Sequence, residues 1–353
     1  MLLCISLGTF YSCSKKTSAP TPVISSIYPT HGALGDTVTI TGSGFQSSPS
    51  LDSVWFNGKP TAVISATSTQ LEVTVPPQCG TGNVTVSVNG TDVPGPVFTY
   101  QISTKLTTFA TGLSNPEYLA IDGTGNLYVT NFGDGVVSKI SPAGVTSTFA
   151  SGFSQPTGIT VDANGNLYVA SNSPANTCTI EKITPSGTVS AFTTITGYIY
   201  GLTIDNSGNL YAANNTTSSI SKVTSTGSIS TFANGISSIT DIVVASNGIL
   251  YATGATNGAV YEIGQGSVNN IISGFSFGGP NGIAVDNFGN LYISVFGNNT
   301  LSQYNTVTQL NTSGMLTTFA AGLDEPCGLA IDANGNFYIA NALGGTISKI
   351  TVE

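Results

Sequence analysis

The chain has 353 residues, a formal net charge of −9 and only 7% charged residues, so we expect two or three domains kept soluble by uncharged polar side chains. All eight basic residues are lysines, and the sequence contains no arginine. Nucleic acid is therefore excluded as a partner, because its binding requires a clustered basic surface. Bidentate arginine clamps on carboxylate or phosphate ligands are excluded as well.

The N-terminal residues 1–13 form an apolar segment that is too short to span a bilayer and is typical of a secretory signal. Cys13, followed by Ser-Lys-Lys, resembles the cleavage site of bacterial lipoproteins such as the surface lipoproteins of Bacteroidetes. This resemblance implies acylation of Cys13 and an exported protein held at the outer membrane or cell surface. An ordinary cleaved signal, with a periplasmic or secreted product, is the alternative. Residues 14–22 predict a linker rich in Ser, Thr and Pro.

Residues 23–100 predict a small β-sandwich, because short runs of alternating apolar and polar residues (38–40, 54–56, 71–75 and 84–88) are separated by Gly and Pro. Several motifs resemble the IPT/TIG immunoglobulin-like domain, namely Pro29-x-x-Gly32, Gly42-x-Gly44-Phe45, Phe56-x-Gly58 and Val75-Pro76. The resemblance implies a spacer or interaction module. Trp55 is the only tryptophan, and its alternation with Val54 and Phe56 predicts that it faces outward. It either covers the rim of the sandwich or serves as a platform for sugar stacking.

Residues 101–353 contain six copies of a sequence close to Gly-Asn-Leu-Tyr-Val, at 125–129, 165–169, 208–212, 248–252, 289–293 and 335–339. The tyrosines follow one another at 40, 43, 40, 41 and 46 residues. A period near 40, filled with short β-branched runs and turn residues, is typical of a four-stranded propeller blade. We call the four strands of each repeat a, b, c and d.

The strand count predicts how the repeats close. A d-type run at 106–110 precedes the first a strand, and the chain ends just after the sixth c strand at 346–350. Pairing these two runs would complete the last blade and leave no open edge. The predicted fold is all-β: an N-terminal immunoglobulin-like β-sandwich followed by a six-bladed β-propeller that is closed by pairing its first strand with the last blade.

The repeats resemble the NHL family of β-propellers across residues 105–353. The resemblance rests on Pro-x-Gly before strand a, Asp-x-x-Gly-Asn-Leu-Tyr at the hairpin, and Ile-x-Lys-Ile on strand c. Repeat one departs from it with Tyr118 in place of the glycine, and repeat four has Ile239, Asp241 and Ala245 in place of Pro, Gly and Asp. The Asp residues are interpreted as caps of tight turns rather than as calcium ligands, because further acidic ligands are missing.

The face opposite these turns, where the a strands begin, is the predicted ligand-binding mouth. Amides, carboxylates and aromatic rings there suit a neutral polar ligand such as a carbohydrate. The candidate contacts are Glu117, Asn131, Asn172, Tyr198, Tyr200, Asn214, Asp241, Asn281, Asn298, Glu325 and Asn341.

Catalysis has less support in the sequence. The only histidine is His31, in the sandwich, whereas the streptogramin-type and peptidyl-hydroxyglycine lyases that NHL propellers resemble depend on propeller histidines. A weaker resemblance to gluconolactonase-like propellers implies a divalent metal such as calcium, with oxygen ligands from Glu117, Asn172, Asn214 and Asp241. Cys79, Cys178 and Cys327 have the spacing of neither a disulfide framework nor a metal site, and we expect free thiols.

We therefore expect a monomeric, non-catalytic binding protein of the cell envelope, without a cofactor, whose mouth binds an extracellular glycan or a protein partner. Two alternatives remain open at this stage. One is a metal-dependent lactonase or lyase, and the other is a structural adhesion or scaffold protein.

Overall fold

The computed structural model describes residues 21–77, 79–101, 104–275, 279–296 and 305–352. Every regular element in these ranges is a β-strand, and they include no helix long and apolar enough to cross a membrane. The signal segment and Cys13 lie outside the described residues. The chain divides into two compact units, one ending at Ser103 and the other spanning Thr104–Val352.

The first unit consists of two sheets that share one core. Its strands are β1 (Val23–Tyr28), β2 (His31–Gly32), β3 (Thr37–Ser43), β4 (Asp52–Phe56), β5 (Lys59–Thr61), β6 (Val63–Ala66), β7 (Gln70–Thr74), β8 (Gly82–Val88) and β9 (Thr91–Tyr100). The sheet orders are β1-β3-β7-β6 and β2-β9-β8-β4-β5. The predicted alternation holds: Val38, Ile40 and Val54 are fully buried, and the Phe56 and Phe98 rings meet edge to face at 4.9 Å.

The second unit consists of six four-stranded sheets. The strands of the first three are β11 (Pro116–Ile121), β12 (Leu127–Asn131), β13 (Val136–Ile140) and β14 (Thr146–Ser151); β15 (Pro156–Val161), β16 (Leu167–Ser173), β17 (Thr177–Ile183) and β18 (Val189–Thr196); and β19 (Ile199–Ile204), β20 (Leu210–Asn214), β21 (Ser219–Val223) and β22 (Ile229–Asn234). Those of the next two are β23 (Ile239–Val244), β24 (Leu250–Gly254), β25 (Ala259–Gly264) and β26 (Ser267–Ser273); and β27 (Pro280–Val285), β28 (Leu291–Val295), β29 (Thr306–Leu310) and β30 (Leu316–Ala321).

The sixth sheet joins the two ends of this unit. Its order is β10-β33-β32-β31, with β10 (Thr104–Ala110), β31 (Pro326–Ile331), β32 (Phe337–Asn341) and β33 (Thr346–Val352). Thr107 pairs with Lys349 in antiparallel register, which confirms the predicted pairing of the leading run with the terminal one. The a strands β11, β15, β19, β23, β27 and β31 contact one another in this order, and β31 contacts β11. They surround a central channel.

The glycine of the Pro-x-Gly motif permits this close approach of neighbouring a strands. A Cβ atom on Gly158 would lie 2.5 Å from the carbonyl oxygen of Tyr200 and 2.6 Å from the amide nitrogen of Leu202. A Cβ atom on Gly328 would lie 2.8 Å from the Cα of Tyr118. Both clashes involve the backbone of the next a strand, so any side chain at these positions would push two sheets apart.

The repeated Tyr and Lys are explained by stacking on the flanks of the sheets. The Tyr168 ring meets the Phe192 ring edge to face at 5.2 Å, and the Lys182 ammonium lies 5.5 Å from the Tyr168 ring centroid. The same arrangement recurs at Tyr128, Tyr211 and Tyr338, each with its own lysine on strand c. A cation over an aromatic face contributes about 0.5–1 kcal/mol at exposed sites. These motifs therefore serve the fold.

Candidate functional site

The candidate site is the mouth, which we define as the rim formed by the first three residues of each a strand and the residues just before them. The second residue of the strand varies, and only threonine occurs twice: Glu117, Thr157, Tyr200, Thr240, Asn281 and Cys327. The third is Tyr118, Gly158, Gly201, Asp241, Gly282 and Gly328. Glycine is thus replaced in the first and fourth sheets, which lie opposite each other in a ring of six.

A bulge makes the third position special. The pairing of strands a and b shifts register at this residue, as it does between Pro116 and Leu119. The displaced backbone N–H then donates to a hydroxyl on strand b in three sheets, where Tyr118 bonds Thr130, Asp241 bonds Thr253 and Gly282 bonds Ser294. These buried hydroxyls keep the amides satisfied, so the bulge is stable without water.

Tyr118 spans the channel. Its hydroxyl donates to the carbonyl oxygen of Thr240 at 2.7 Å, which connects the first sheet to the fourth. The residue is only 4% exposed, and burial raises the pKa of its hydroxyl well above the usual value. Tyr118 therefore forms a closed floor below the mouth and ties together two sheets that are not neighbours.

Asp241 is a buried bridge between the fourth and fifth sheets. Its Oδ1 accepts a hydrogen bond from the Ile242 amide at 2.8 Å, and its Oδ2 accepts one from the Ile283 amide at 2.9 Å. Burial raises the pKa of this carboxyl to about 7, although the two amide hydrogen bonds oppose the shift. Both oxygens thus accept backbone N–H groups, and the role of Asp241 as a ligand contact stays a prediction.

Glu117 is the carboxyl group at the centre of the mouth. It is half-buried, accepts a hydrogen bond from Asn115 Nδ2 at 3.4 Å and is hydrogen-bonded to the thiol of Cys327. Burial raises its pKa to about 7 and the nearby Glu325 adds to this, while the Cys327 and Asn115 hydrogen bonds oppose it. Near neutral pH the group can therefore act as a donor or as an acceptor.

Tyr198 and Tyr200 form an aromatic pair beside Glu117. Their ring centroids lie 4.9 Å apart at an interplanar angle of 50°, and both side chains are half-buried. Burial raises the pKa of both hydroxyls, and the charge of Glu117 raises it further. Asn281 is also half-buried, with its Nδ2 3.4 Å from the Cys327 sulfur.

Four predicted rim asparagines lie below the surface instead. These are Asn131, Asn172, Asn214 and Asn341, and each is at most 2% exposed. Asn172 illustrates the reason, since its Nδ2 donates to Thr157 Oγ1 and to the Ile199 carbonyl oxygen, both at 2.9 Å, and its Oδ1 accepts from the Ile199 amide. Asn131 and Asn341 instead donate to residues of strand c in their own sheets, Ser138 and Ser348. The role of the four asparagines as ligand contacts stays a prediction. Asn298 lies outside the described residues.

The residues considered for a divalent cation do not provide a free donor set. The Oδ1 atoms of Asn172 and Asn214 accept the amides of Ile199 and Thr217, and both oxygens of Asp241 accept backbone N–H groups. Among the described residues there is no group of three or more His, Cys, Asp or Glu side chains that could hold a metal ion. The proposed ligand set therefore does not fit a metal.

The opposite face contains the a–b turns, and here the interpretation as capped turns is confirmed. Asp162 Oδ1 accepts from the amides of Asn164 and Asn166, both at 2.9 Å. Hydrogen bonds to Asn126 and Thr124 outweigh burial and lower the pKa of the corresponding Asp122 to about 2. The described cysteines Cys79, Cys178 and Cys327 are free and buried, as expected.

A cavity of about 190 Å³ occupies the channel between the Tyr118 floor and this face. Its walls include Leu119, Ile159, Leu202, Ile242, Ile283 and Leu329. Sequence reasoning missed Tyr118 as a functional residue. The signal was present, because Tyr118 and Asp241 are the two departures from glycine in the third position.

Comparisons with known proteins support the two parts of the chain separately. Residues 22–110 match the IPT/TIG domain family, a range that extends through β10. A search of curated protein sequences finds no match.

Among solved structures, the chain is similar to a protein of unknown function from Bacteroides thetaiotaomicron (19% identity, TM-score 0.65, 94% of this chain and 98% of that one). It is also similar to an auxiliary nutrient binding protein of the same species (17% identity, TM-score 0.59, 94% and 98%). A third similar structure is a gluconolactonase from Xanthomonas campestris (14% identity, TM-score 0.59, 71% and 90%). At these identities the similarity shows the fold, a β-propeller-like arrangement with a TIG domain, and not the activity.

Proposed function

We propose that this protein is a non-catalytic binding protein of the bacterial cell envelope, and that its six sheets are the blades of a closed, six-bladed NHL-type propeller whose mouth binds an extracellular carbohydrate. The ring of a-strand contacts and the β10–β33 pairing support six closed blades. The similarity to an auxiliary nutrient binding protein supports a binding role at the cell surface.

The observation that carries the ligand class is the Tyr198–Tyr200 pair next to Glu117. Two half-buried aromatic rings offer apolar faces against which a sugar ring stacks. Glu117 and Asn281 add hydrogen-bonding groups of both kinds for hydroxyls. The rim also holds Asp324 and Glu325 and contains no lysine, so a neutral glycan fits better than an anionic one.

The metal-dependent lactonase is not part of this proposal, because three of the four residues that would hold the metal, Asn172, Asn214 and Asp241, already accept backbone N–H groups with their oxygens. A protein partner at the mouth is the second candidate, favoured by the exposed acidic Asp324 on the rim. We further propose that the protein is monomeric and is tethered through an acylated Cys13. Cys13→Ala should release it from the membrane fraction into the soluble one, and unchanged fractionation would contradict the anchor.

The test of the mouth is the double variant Tyr198→Ala and Tyr200→Ala, assayed by calorimetry against neutral oligosaccharides and screened for turnover in parallel. We expect binding without turnover by the unaltered protein and loss of binding by the variant. Phe288→Ala is the control, since Phe288 is 48% exposed on an a–b turn of the opposite face and its loss should leave affinity unchanged. Unaltered affinity in the double variant would move the site elsewhere, and turnover would replace the proposal by an enzyme.

A further inference from the structure

The first unit has a pocket of its own, which nothing in the proposed function uses. It measures about 430 Å³ and is lined by Pro49, Ser50, Asp52, Ser53, Val54, Trp55, Pro60, Thr61, Ala62 and Val63. It lies where the chain leaves one sheet at the end of β5 and enters the other as β6. Its size is within the range of about 300–1,000 Å³ that is typical of small-molecule sites.

Trp55, the only tryptophan of the chain, lies in the wall of this pocket. On β4 the side chains alternate, so Val54 and Phe56 are in the core while Ser53 is exposed and Trp55 is half-buried. Trp55 pairs with Thr85 on one side and with the exposed Pro60 on the other. The ring is therefore not needed to fill the core, and it provides an apolar surface beside a rigid proline.

Asp52 also lines this pocket. It is 4% exposed, and its Oδ2 accepts a hydrogen bond from the Gln46 amide at 2.9 Å. Its Oδ1 is buried and has no hydrogen-bond partner. Because Asp52 shares the core-facing side of β4 with Val54 and Phe56, its carboxylate borders the pocket from the side opposite to the Trp55 ring and is not a contact for a ligand on that ring.

The charge of the pocket restricts the ligand class. Asp52 is its one ionisable group, and no lysine lines it. An anionic ligand would meet no cation in the pocket wall, whereas a neutral, hydroxyl-rich ligand can bond the hydroxyls of Ser50 and Ser53. A flat aromatic ring next to hydroxyl groups is the combination that suits a sugar, with its C–H face on the ring and its hydroxyls at the edge.

We infer that the Trp55 pocket is a carbohydrate-binding site in its own right, which takes a neutral sugar residue against the indole ring and directs its hydroxyls towards Ser53 on the same face of β4. The site is independent of the propeller mouth.

The sequence offers a direct probe, because tryptophan fluorescence reports Trp55 alone. The full-length protein is titrated with neutral gluco-, xylo- and manno-oligosaccharides and, in parallel, with an acidic oligogalacturonate. We expect a saturable fluorescence change and protection from acrylamide quenching with at least one neutral series, and neither effect with the acidic oligomer. Both effects should persist in the Tyr198→Ala and Tyr200→Ala double variant, so the failure of one site is distinguishable from the failure of the other.

Two variants of the pocket test the roles of its residues in the background of the mouth variant, by calorimetry with the same sugar. Trp55→Ala should weaken binding about tenfold or more, as truncation of an aromatic anchor does. Trp55→Phe should retain part of the affinity, and Ser53→Ala should weaken binding without changing the sugar preference. The inference is overturned if no neutral oligosaccharide alters Trp55 fluorescence, if the mouth variant abolishes the change, or if the acidic oligomer binds equally well.

Discussion

The two ends of the a strands, the turn end and the mouth end, differ in how strictly their residues repeat from sheet to sheet. At the turn end, five of the six repeats carry the same aspartate, and its carboxylate is engaged by the turn itself: Asp122, Asp162, Asp205, Asp286 and Asp332. At the mouth end, the second residue is of five different types in the six strands, with threonine twice. The repeated aspartate is needed for the turn that every sheet contains. The second residue of strand a has the same backbone environment in each sheet but a varying side chain, so it is free to contact a ligand. The comparison therefore directs attention to the mouth.

The third residue of strand a is the strongest test of this comparison, because in four of the six sheets the contact with the next a strand leaves room only for glycine. Gly158→Ala would place a Cβ atom within 2.6 Å of two backbone atoms of the next strand. We expect the free energy of unfolding to fall by about 3 kcal/mol. Chemical denaturation monitored by far-UV circular dichroism measures the change.

The matched control is Gly123→Ala, at a turn of the opposite face where a Cβ atom would have no neighbour within 4 Å. We expect its effect to be small. Equal effects at the two positions would mean that contact between a strands does not limit which residues the mouth can hold.

The two ends should also respond to pH in opposite directions. Glu117 and Asp241 have pKa values raised to about 7 by burial, so the native state holds their protons more tightly than the unfolded chain does. Their contribution to stability is present below the unfolded pKa, near 4, and is lost as the pH rises through 7. Asp122, with its pKa lowered to about 2, contributes stability above its unfolded pKa and loses it as the pH falls through 2.

The measurement is the free energy of unfolding from pH 2 to pH 8 for the unaltered protein, Glu117→Gln and Asp122→Asn. Between pH 5 and pH 7 we expect each raised carboxyl to account for a loss of roughly 1–2 kcal/mol. Glu117→Gln should flatten only this upper limb, and Asp122→Asn only the acid limb. A variant that removes the pH dependence of the free energy of unfolding in both ranges would show that the mouth end and the turn end are coupled.

The hydrogen bond from the Tyr118 hydroxyl to the Thr240 carbonyl oxygen shows that part of the mouth end also serves the fold. Tyr118→Phe removes the donor to the Thr240 carbonyl and leaves the ring in place. We expect a loss of about 1 kcal/mol, the net contribution of a single hydrogen bond. Hydrogen exchange should speed up at β11 and β23 together, since the bond joins these two strands.

Tyr168→Phe, a buried tyrosine on the flank of the second sheet, is the control. It should not couple β11 to β23. Unchanged exchange in both strands of Tyr118→Phe would mean that the bond contributes nothing to closing the floor.

Whether a feature of the fold could be predicted from the sequence depends on how far apart in the sequence its interacting residues lie. The blade strands, the turns and the flank stacking depend on residues within one repeat of about 40, so the period and the alternation were sufficient. Closure through β10 and β33 could also be predicted, because a surplus strand at one end matches a missing strand at the other. Each of these features is visible as a repetition.

The individual contacts at the mouth depend on residues from different repeats, and sequence reasoning was less successful there. Asn172 has the same chemistry as an exposed ligand contact, but its amide bonds Ile199 of the next sheet. Tyr118 reaches Thr240 across the ring, 122 residues away. Such pairings arise only when the ring is closed, and no local pattern distinguishes a buried asparagine from an exposed one.

The smallest effect, and the one that tests the comparison within the repeats themselves, is expected at the a–b turns. The fourth repeat has Ala245 where the others have aspartate, and Asn247 Oδ1 accepts the Ile249 amide there at 3.0 Å in place of a carboxylate. Asp162→Ala should cost about 1 kcal/mol, because the amides of Asn164 and Asn166 lose their acceptor, as in the loss of a helix cap. Ala245→Asp should gain less than that, since Asn247 already satisfies one amide.

Both changes are measured by thermal denaturation, and neither should alter ligand binding if the turn end serves only the fold. A loss of affinity in Asp162→Ala without a loss of stability would assign the turn face a role in recognition. It would also remove the distinction between repeating and varying positions on which the choice of the mouth depends.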